Sequence, residues 1–133
     1  MSNIDRKNIR SGAPWEPLAG YSRAVRVGNQ VFVSGTAAIS DEGELVGEGD
    51  AYAQAARCVE IIRESLHKAG AEMRHVVRTR MFVTDISRWE EIARAHREGF
   101  GDAPPATAMV EVSKLIDPRM LVEIEANAII DEA

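Results

Sequence analysis

Residues 104–130 read PPATAMVEVSKLIDPRMLVEIEANAII, and the second half of this stretch decides the fold. Along residues 121–130, Glu123, Glu125 and Asn127 share one parity, and apolar side chains occupy the other parity. Successive side chains of a strand point to opposite faces, so this run predicts a strand with one polar and one apolar face. The polar face is either solvated or part of a binding site.

The first half of the stretch alternates in the same way. Thr107 and Met109 share one face, and a turn-rich link containing Asp117 and Pro118 follows this run. Because proline presets the backbone dihedral that turns require, we expect the link to bring the two runs side by side as neighbouring strands.

The chain upstream predicts a β-hairpin. Apolar residues alternate on both sides of Gly28 and Asn29, and a Gly-Asn pair between such runs is typical of a hairpin turn. The second strand of this hairpin ends in Ser34 and Gly35, which form either a plain strand end or a place where backbone approaches a ligand. Residues 1–20 are rich in Gly, Pro and polar side chains and predict an irregular lead-in.

Two helices are predicted between the hairpin and the final strands. The first begins after Asp50 as N-cap, and its apolar stripe includes Cys58, which is more typical of a core residue than of a nucleophile. The second begins at a capping box formed by Ser87 and Glu90. His96 lies on its apolar face, which favours a buried, hydrogen-bonded histidine over a catalytic base.

A further strand over residues 75–85 completes the order β-β-α-β-α-β-β, an α+β sheet with two helices packed on one face. The helices leave the other face uncovered, although several apolar residues lie at its parity. These residues are Phe32, Val76, Phe82 and Met109. Exposing aromatic rings to water is unfavourable, so we expect a homo-oligomer whose subunits cover this face.

The length of 133 residues fits one domain spanning 1–133. No run approaches the ~20 apolar residues of a membrane helix, and the N-terminus lacks the apolar block of a secretory signal. Cys58 is the only cysteine, which excludes an internal disulfide and suits a reducing compartment. We therefore expect a cytoplasmic protein that has no membrane partner.

The net charge is −5 and the pI is about 5.2, which disfavours a nucleic acid as partner because phosphate binding requires cations. The three histidines His67, His75 and His96 have no paired spacing, so no metal centre is expected, and nothing in the sequence indicates another cofactor.

Four segments resemble the Rid family, also called YjgF/YER057c/UK114. They are residues 33–35, 78–86, 105–112 and 122–126, in family order within residues 21–130. The resemblance implies a chorismate-mutase-like fold and a homotrimer whose sheets form a central β-barrel with three clefts between subunits. It also implies an enzyme activity, the hydrolysis of reactive enamines and imines to 2-keto acids and ammonia.

Carried over residue by residue, the resemblance implies a cleft lined by Tyr21, Ser34, Gly35, Thr107, Met109 and Glu123. Glu123 would be the catalytic residue that positions or activates water, and Tyr21 would close the cleft. Thr107 stands where the deaminase branch has an arginine that grips the substrate carboxylate, and Met109 stands where cysteine is common. The uncharged Thr107 makes the standard 2-imino-acid deaminase activity unexpected.

A replacement cation has three candidates on neighbouring strands, Arg26, Arg78 and Arg80. The first hypothesis is a small-molecule hydrolase in which Glu123 is the general base. The alternative is a non-catalytic module that binds or senses a metabolite, favoured by the apolar Met109. An endoribonuclease is disfavoured by the acidic balance.

Overall fold

A computed structural model describes residues 5–131, which form one six-stranded sheet and three helices. The strands are β1 Arg6–Ile9, β2 Ala24–Val27, β3 Gln30–Thr36, β4 Val76–Val83, β5 Ala106–Glu111 and β6 Val122–Ile129. The helices are α1 Trp15–Ala19, α2 Ala51–Lys68 and α3 Trp89–Phe100. Short 3₁₀ turns at Met73–His75 and Ile86–Arg88 precede β4 and α3.

The strand order is β1-β2-β3-β6-β4-β5, and every neighbouring pair is antiparallel except β4 and β5. The prediction that the last two strands pair with each other is wrong, because β4 lies between them. Crossing one strand requires only about 10 Å, which the link over residues 112–121 spans easily. The central position lets β4 bury Met81 and Val83 beneath the helices.

The predicted alternation of β6 is confirmed, and both long helices pack on one face of the sheet as expected. Apolar side chains of β6 are fully buried against α2, and they are Val122, Ile124, Ala126 and Ala128. The predicted cap of α2 is also confirmed, since the Asp50 carboxylate accepts a hydrogen bond from Ala53 N at 3.0 Å. The Gly28-Asn29 hairpin joins β2 to β3, with a positive φ of 60° at Gly28.

Two local predictions are corrected. Residues 5–20 contain β1 and α1 rather than an irregular lead-in, and residues 1–4 lie outside the described part of the chain. Ile9 is the only buried residue of β1, so this strand lacks the alternation of apolar and polar side chains from which a strand is predicted. At the start of α3, Asp85 replaces the expected capping box, because its carboxylate accepts hydrogen bonds from the Ser87 amide and hydroxyl.

The sheet face opposite the helices carries exposed apolar side chains. Phe32 (44%), Val110 (46%) and Ile129 (47%) remain exposed there, and Phe82 is half-buried. The expected members Val76 and Met109 lie on the helix face instead. An irregularity between Val76 and Arg78 shifts the parity of β4, and Met109 pairs with the inward-facing Met81.

Gln54 on α2 ties the start of β6 to the helix layer. Its side chain is fully buried, and its Nε2 donates to the carbonyls of Gly47 (3.1 Å) and Arg119 (3.0 Å). Its Oε1 accepts from the Leu121 amide at 2.8 Å. These three bonds fix the backbone two residues before Glu123, so Gln54 sets where that carboxylate lies.

We predict that Gln54→Leu lowers the free energy of unfolding by about 1–3 kcal/mol, because three backbone groups lose a buried partner. Urea unfolding followed by circular dichroism measures the change. Arg63→Leu, at an exposed position of the same helix, serves as control and is expected to stay within about 0.5 kcal/mol of wild type. Equal stabilities of the two variants would contradict the role given to Gln54.

Candidate functional site

A cavity of about 880 Å³ opens where the start of β6 meets the N-terminal segment and α2. Its polar centre consists of Tyr21, Arg23, Gly35 and Glu123. Its apolar lining includes Trp15, Ile39, Ile61 and Met120. Three of the predicted site residues, Tyr21, Gly35 and Glu123, are therefore brought together within one chain. Ser34 precedes Gly35, and its hydroxyl donates to the Ser22 carbonyl at 2.7 Å.

Gly35 lies directly against the carboxylate of Glu123. A Cβ at this position would be 2.6 Å from Glu123 Oε2 and 2.9 Å from Cδ, closer than real Cβ atoms approach. The φ of Gly35 is not positive, so the role of this glycine is to leave room for the Glu123 carboxylate and not to adopt a left-handed backbone conformation. The Gly35 carbonyl also accepts a hydrogen bond from Arg23 Nη2 at 2.6 Å. Gly35 thus contacts a cation and an acid at once.

Glu123 has the electrostatics of an acid–base group. Its side chain is half-buried, and this burial raises the pKa of its carboxyl above the ordinary glutamate value. The Arg23 charge opposes the increase in pKa, whereas Glu125 on the same face of β6 adds to it. A carboxyl with a raised pKa in a cavity is suited to accept a proton and to return it.

Arg23 is a site residue that the sequence patterns do not single out. Its side chain is buried, and its guanidinium lies over the Tyr21 ring with 5.7 Å to the centroid. Arg23 follows Tyr21 by two residues and lies just before β2 begins at Ala24, where no motif indicates a site residue. None of the three candidate replacement cations, Arg26, Arg78 and Arg80, lines this cavity. Arg26 donates to the Ala69 carbonyl, and Arg80 contacts Glu125 at 3.5 Å.

Thr107 and Met109 lie on the opposite face of the sheet from Glu123. Thr107 pairs with Thr79 and Met109 pairs with Met81, and both partners face the helices. Residues paired across neighbouring strands share a face, so the predicted cleft residues are divided between the two faces. One chain alone therefore does not form the cleft that the resemblance implies.

The Thr107 hydroxyl belongs to a hydrogen-bonded chain on the helix face. It accepts from Thr79 Oγ1 at 2.6 Å and donates to the Thr79 carbonyl at 3.2 Å. Thr79 Oγ1 also lies 2.8 Å from His96 Nε2. His96 is half-buried, and its burial lowers the imidazole pKa, so the hydrogen-bonded histidine expected from the sequence is found. Thr107 is exposed, but its only hydroxyl proton is already donated to the Thr79 carbonyl of the same chain.

Cys58 is fully buried in the core beneath β6, as the sequence predicts. Burial, together with the charge of Glu123, raises the pKa of its thiol, so the reactive thiolate is disfavoured. Within residues 5–131, His, Cys, Asp and Glu side chains form no cluster of three suited to a metal ion. The helices of this same part of the chain include none with the length and hydropathy to cross a membrane.

A sequence profile described as "Endoribonuclease L-PSP" matches residues 11–130. A crystal structure of a YjgF/YER057c/UK114 member from Mycobacterium tuberculosis is 46% identical, with a TM-score of 0.87 over 95% of this chain and 100% of that chain. The chain belongs to the Rid (YjgF/YER057c/UK114) family. The resemblance seen in four sequence segments is thereby confirmed, together with the α+β fold.

Two curated relatives cover nearly the whole chain. An uncharacterized protein of Streptomyces coelicolor is 35% identical over 128 residues, which are 96% of this chain and 95% of the relative. The 3-aminoacrylate deaminase RutC of Acinetobacter baylyi is 33% identical over 120 residues, 90% of this chain and 94% of the relative. This Rid protein is therefore similar in sequence to a protein named as a 3-aminoacrylate deaminase.

We predict that Gly35→Ala destabilises the protein by about 1 kcal/mol, because the added methyl group meets only the end of the flexible Glu123 side chain, which must move aside. Thermal and urea unfolding give the change. In a Glu123→Ala background the same substitution is expected to be nearly neutral, since the clashing atoms are gone. A double-mutant cycle without such coupling would show that the two residues do not restrain each other.

Proposed function

We propose that this Rid protein hydrolyses a small enamine or imine, with Glu123 as the general acid–base group. The half-buried Glu123 carboxyl, held against Gly35 in a cavity, carries the proposal. The cavity volume of about 880 Å³ lies in the range of small-molecule sites. The deaminase name of the Acinetobacter baylyi relative supports the reaction class.

In the proposed reaction, the enamine first tautomerises to an imine and water then attacks its carbon. The Glu123 carboxylate accepts a proton from this water as the carbon–oxygen bond forms. The same carboxyl then donates the proton to the nitrogen, and the carbinolamine collapses to a carbonyl compound and ammonia. A raised pKa suits both steps, because the group must hold the proton between them.

We further propose that two copies of the chain form the complete cleft within a homotrimer. One copy contributes Tyr21, Gly35 and Glu123, and its neighbour contributes Thr107 and Met109 from the edge strand β5. The exposed apolar residues on the uncovered sheet face support association, because burying them removes apolar surface from water.

A second candidate function is a binding module that holds a metabolite without transforming it. It is favoured by Thr107, whose uncharged hydroxyl is already hydrogen-bonded to Thr79 and offers no anchor for a carboxylate. The two functions use the same cavity, and they differ in whether Glu123 is required for turnover or only contacts the ligand. Binding that persists in Glu123→Gln, with no turnover by wild type, would favour the module.

We predict that Glu123→Gln lowers the rate of enamine hydrolysis by about 100-fold or more, because general acid–base catalysis is lost. Enamines generated in situ from several amino acids by a lyase are supplied, and ammonia release is measured. Glu125→Gln is the matched control, on the same strand face and two residues away, and is expected to change the rate only slightly.

The wild-type rate is expected to fall as the pH drops through the raised pKa of Glu123, since the carboxylate is the form that accepts the proton. An unchanged rate in Glu123→Gln would contradict its catalytic role. The absence of hydrolysis with every enamine tested would leave only the binding function.

Mixed oligomers test the two-copy cleft. Glu123→Gln and Thr107→Trp are each expected to be inactive, the second because a bulky ring fills the neighbour's half of the cleft. When the two variants are co-refolded in equal amounts, about a quarter of the interfaces of a cyclic trimer combine two intact halves, so about a quarter of wild-type activity should return. Full activity of Thr107→Trp alone, or no recovery in mixtures of verified heterotrimers, would contradict the shared cleft.

A further inference from the structure

We infer that Arg23 is the residue that binds a carboxylate of the ligand in this cavity, in place of the arginine that Thr107 replaces, and that the rest of the ligand is apolar. The inference rests on the proposed function only in taking the cavity around Glu123 as the ligand site. It adds the residue that recognises the carboxylate and the apolar character of the rest of the ligand. The family resemblance does not indicate this residue.

The guanidinium of Arg23 is buried and incompletely paired. Arg23 is only 8% exposed. Its Nη2 donates to the Gly35 carbonyl, and its buried Nε has no hydrogen-bond partner in the described part of the chain. Within residues 5–131 it forms no salt bridge, although Glu123 is close enough to feel its charge. Burying a charge is costly unless it is paired, and a ligand carboxylate in the cavity would supply the missing counter-charge.

The other cations that line the cavity are less suited to this role. Arg57 already contacts Asp41 at 3.3 Å and Glu64 at 3.9 Å, and it also pairs with Glu60. Lys68 is exposed, so its ammonium is well hydrated. Among these three cations, Arg23 is the one that combines burial with the lack of a salt-bridge partner within residues 5–131.

Charge and lining define the rest of the ligand. Asp41, Glu42 and Glu64 line the cavity together with Glu123, so a dianionic phosphate would be repelled more strongly than a monoanionic carboxylate. A planar guanidinium also matches the geometry of a carboxylate. The apolar lining, which includes Trp15 and Ile61, favours an aliphatic or aromatic body.

Binding measurements without turnover test this inference separately from the proposed hydrolysis. Isothermal titration of the full chain is carried out with 4-methyl-2-oxopentanoate and phenylpyruvate, with their primary amides, and with alkyl phosphates of similar length. None of these compounds contains a C=N bond, so failure of the proposed reaction does not affect the result. The acids are expected to bind about 10- to 100-fold more tightly than their amides, as charged hydrogen bonds do.

Variants of the protein show which residue is responsible for the tighter binding of acids than of amides. Arg23→Gln is expected to bind acid and amide equally, and Arg23→Lys to keep part of the preference because the charge remains. Arg80→Gln, which removes a cation paired with Glu125 outside the cavity, is the matched control and should keep the full preference. Size-exclusion chromatography and thermal unfolding establish that each variant is folded.

The inference is overturned if wild type binds none of the acids, binds amides as tightly as acids, or prefers the phosphates. It is also overturned if Arg23→Gln is folded and keeps the preference, or if Lys68→Gln loses it instead. Should Arg23→Gln fail to fold, the acid preference of wild type and its reduction in Arg23→Lys, with no change in Lys68→Gln, decide the matter.

Discussion

The alternation of side chains along β6 is the constraint on which both the core and the cavity depend. One parity places Ile124 and Ala126 beneath α2, and the other places Glu123 in the cavity. A register slip of one residue would expose the apolar side chains and bury the acid, so the packing of the core holds Glu123 on its face. The hydrogen bonds of Gln54 fix the same register from the helix side.

Gly35 contacts both Glu123 of β6 and the Arg23 cation, so it links the packing of β6 to the polar groups of the cavity. Its missing side chain leaves room for the Glu123 carboxylate, and its carbonyl holds Arg23. The irregularity of β3 between Val33 and Thr36 places Gly35 at this point. A single backbone position therefore sets the spacing between an acid with a raised pKa and a buried cation. No salt bridge joins the two groups within residues 5–131, although the Arg23 charge still acts on the Glu123 carboxyl.

Local periodicity predicts the parts of the fold that depend on one element at a time. The faces of β6, the stripe of α2 and the Gly28 hairpin follow from the spacing of apolar residues and from turn chemistry. The insertion of β4 between β5 and β6 does not, because strand partners are chosen by long-range packing that no local pattern records. The face on which Val76 lies is also not predicted, because an irregularity of β4 between Val76 and Arg78 interrupts the alternation of side chains.

The candidate site could be predicted in residue type but not in arrangement. The resemblance indicates Tyr21, Gly35 and Glu123, which the fold does bring together. It also indicates Thr107, but a sequence cannot show that this residue faces the other side of the sheet. Arg23 escapes attention because a lone arginine just before a strand belongs to no motif.

Two features of the sheet, its uncovered apolar face and its divided site residues, would both be satisfied by a second copy of the chain. The face opposite the helices keeps Phe32 and Val110 exposed, and burying such side chains requires a second surface. The cavity keeps its acid on one face of the sheet while Thr107 lies on the other face, at the edge strand. A second copy of the chain would satisfy both needs together, by covering apolar surface and by bringing the neighbour's edge strand toward Glu123. Association and the completion of the site are then one event, so a substitution that weakens the apolar interface would also weaken the site without touching any residue in it.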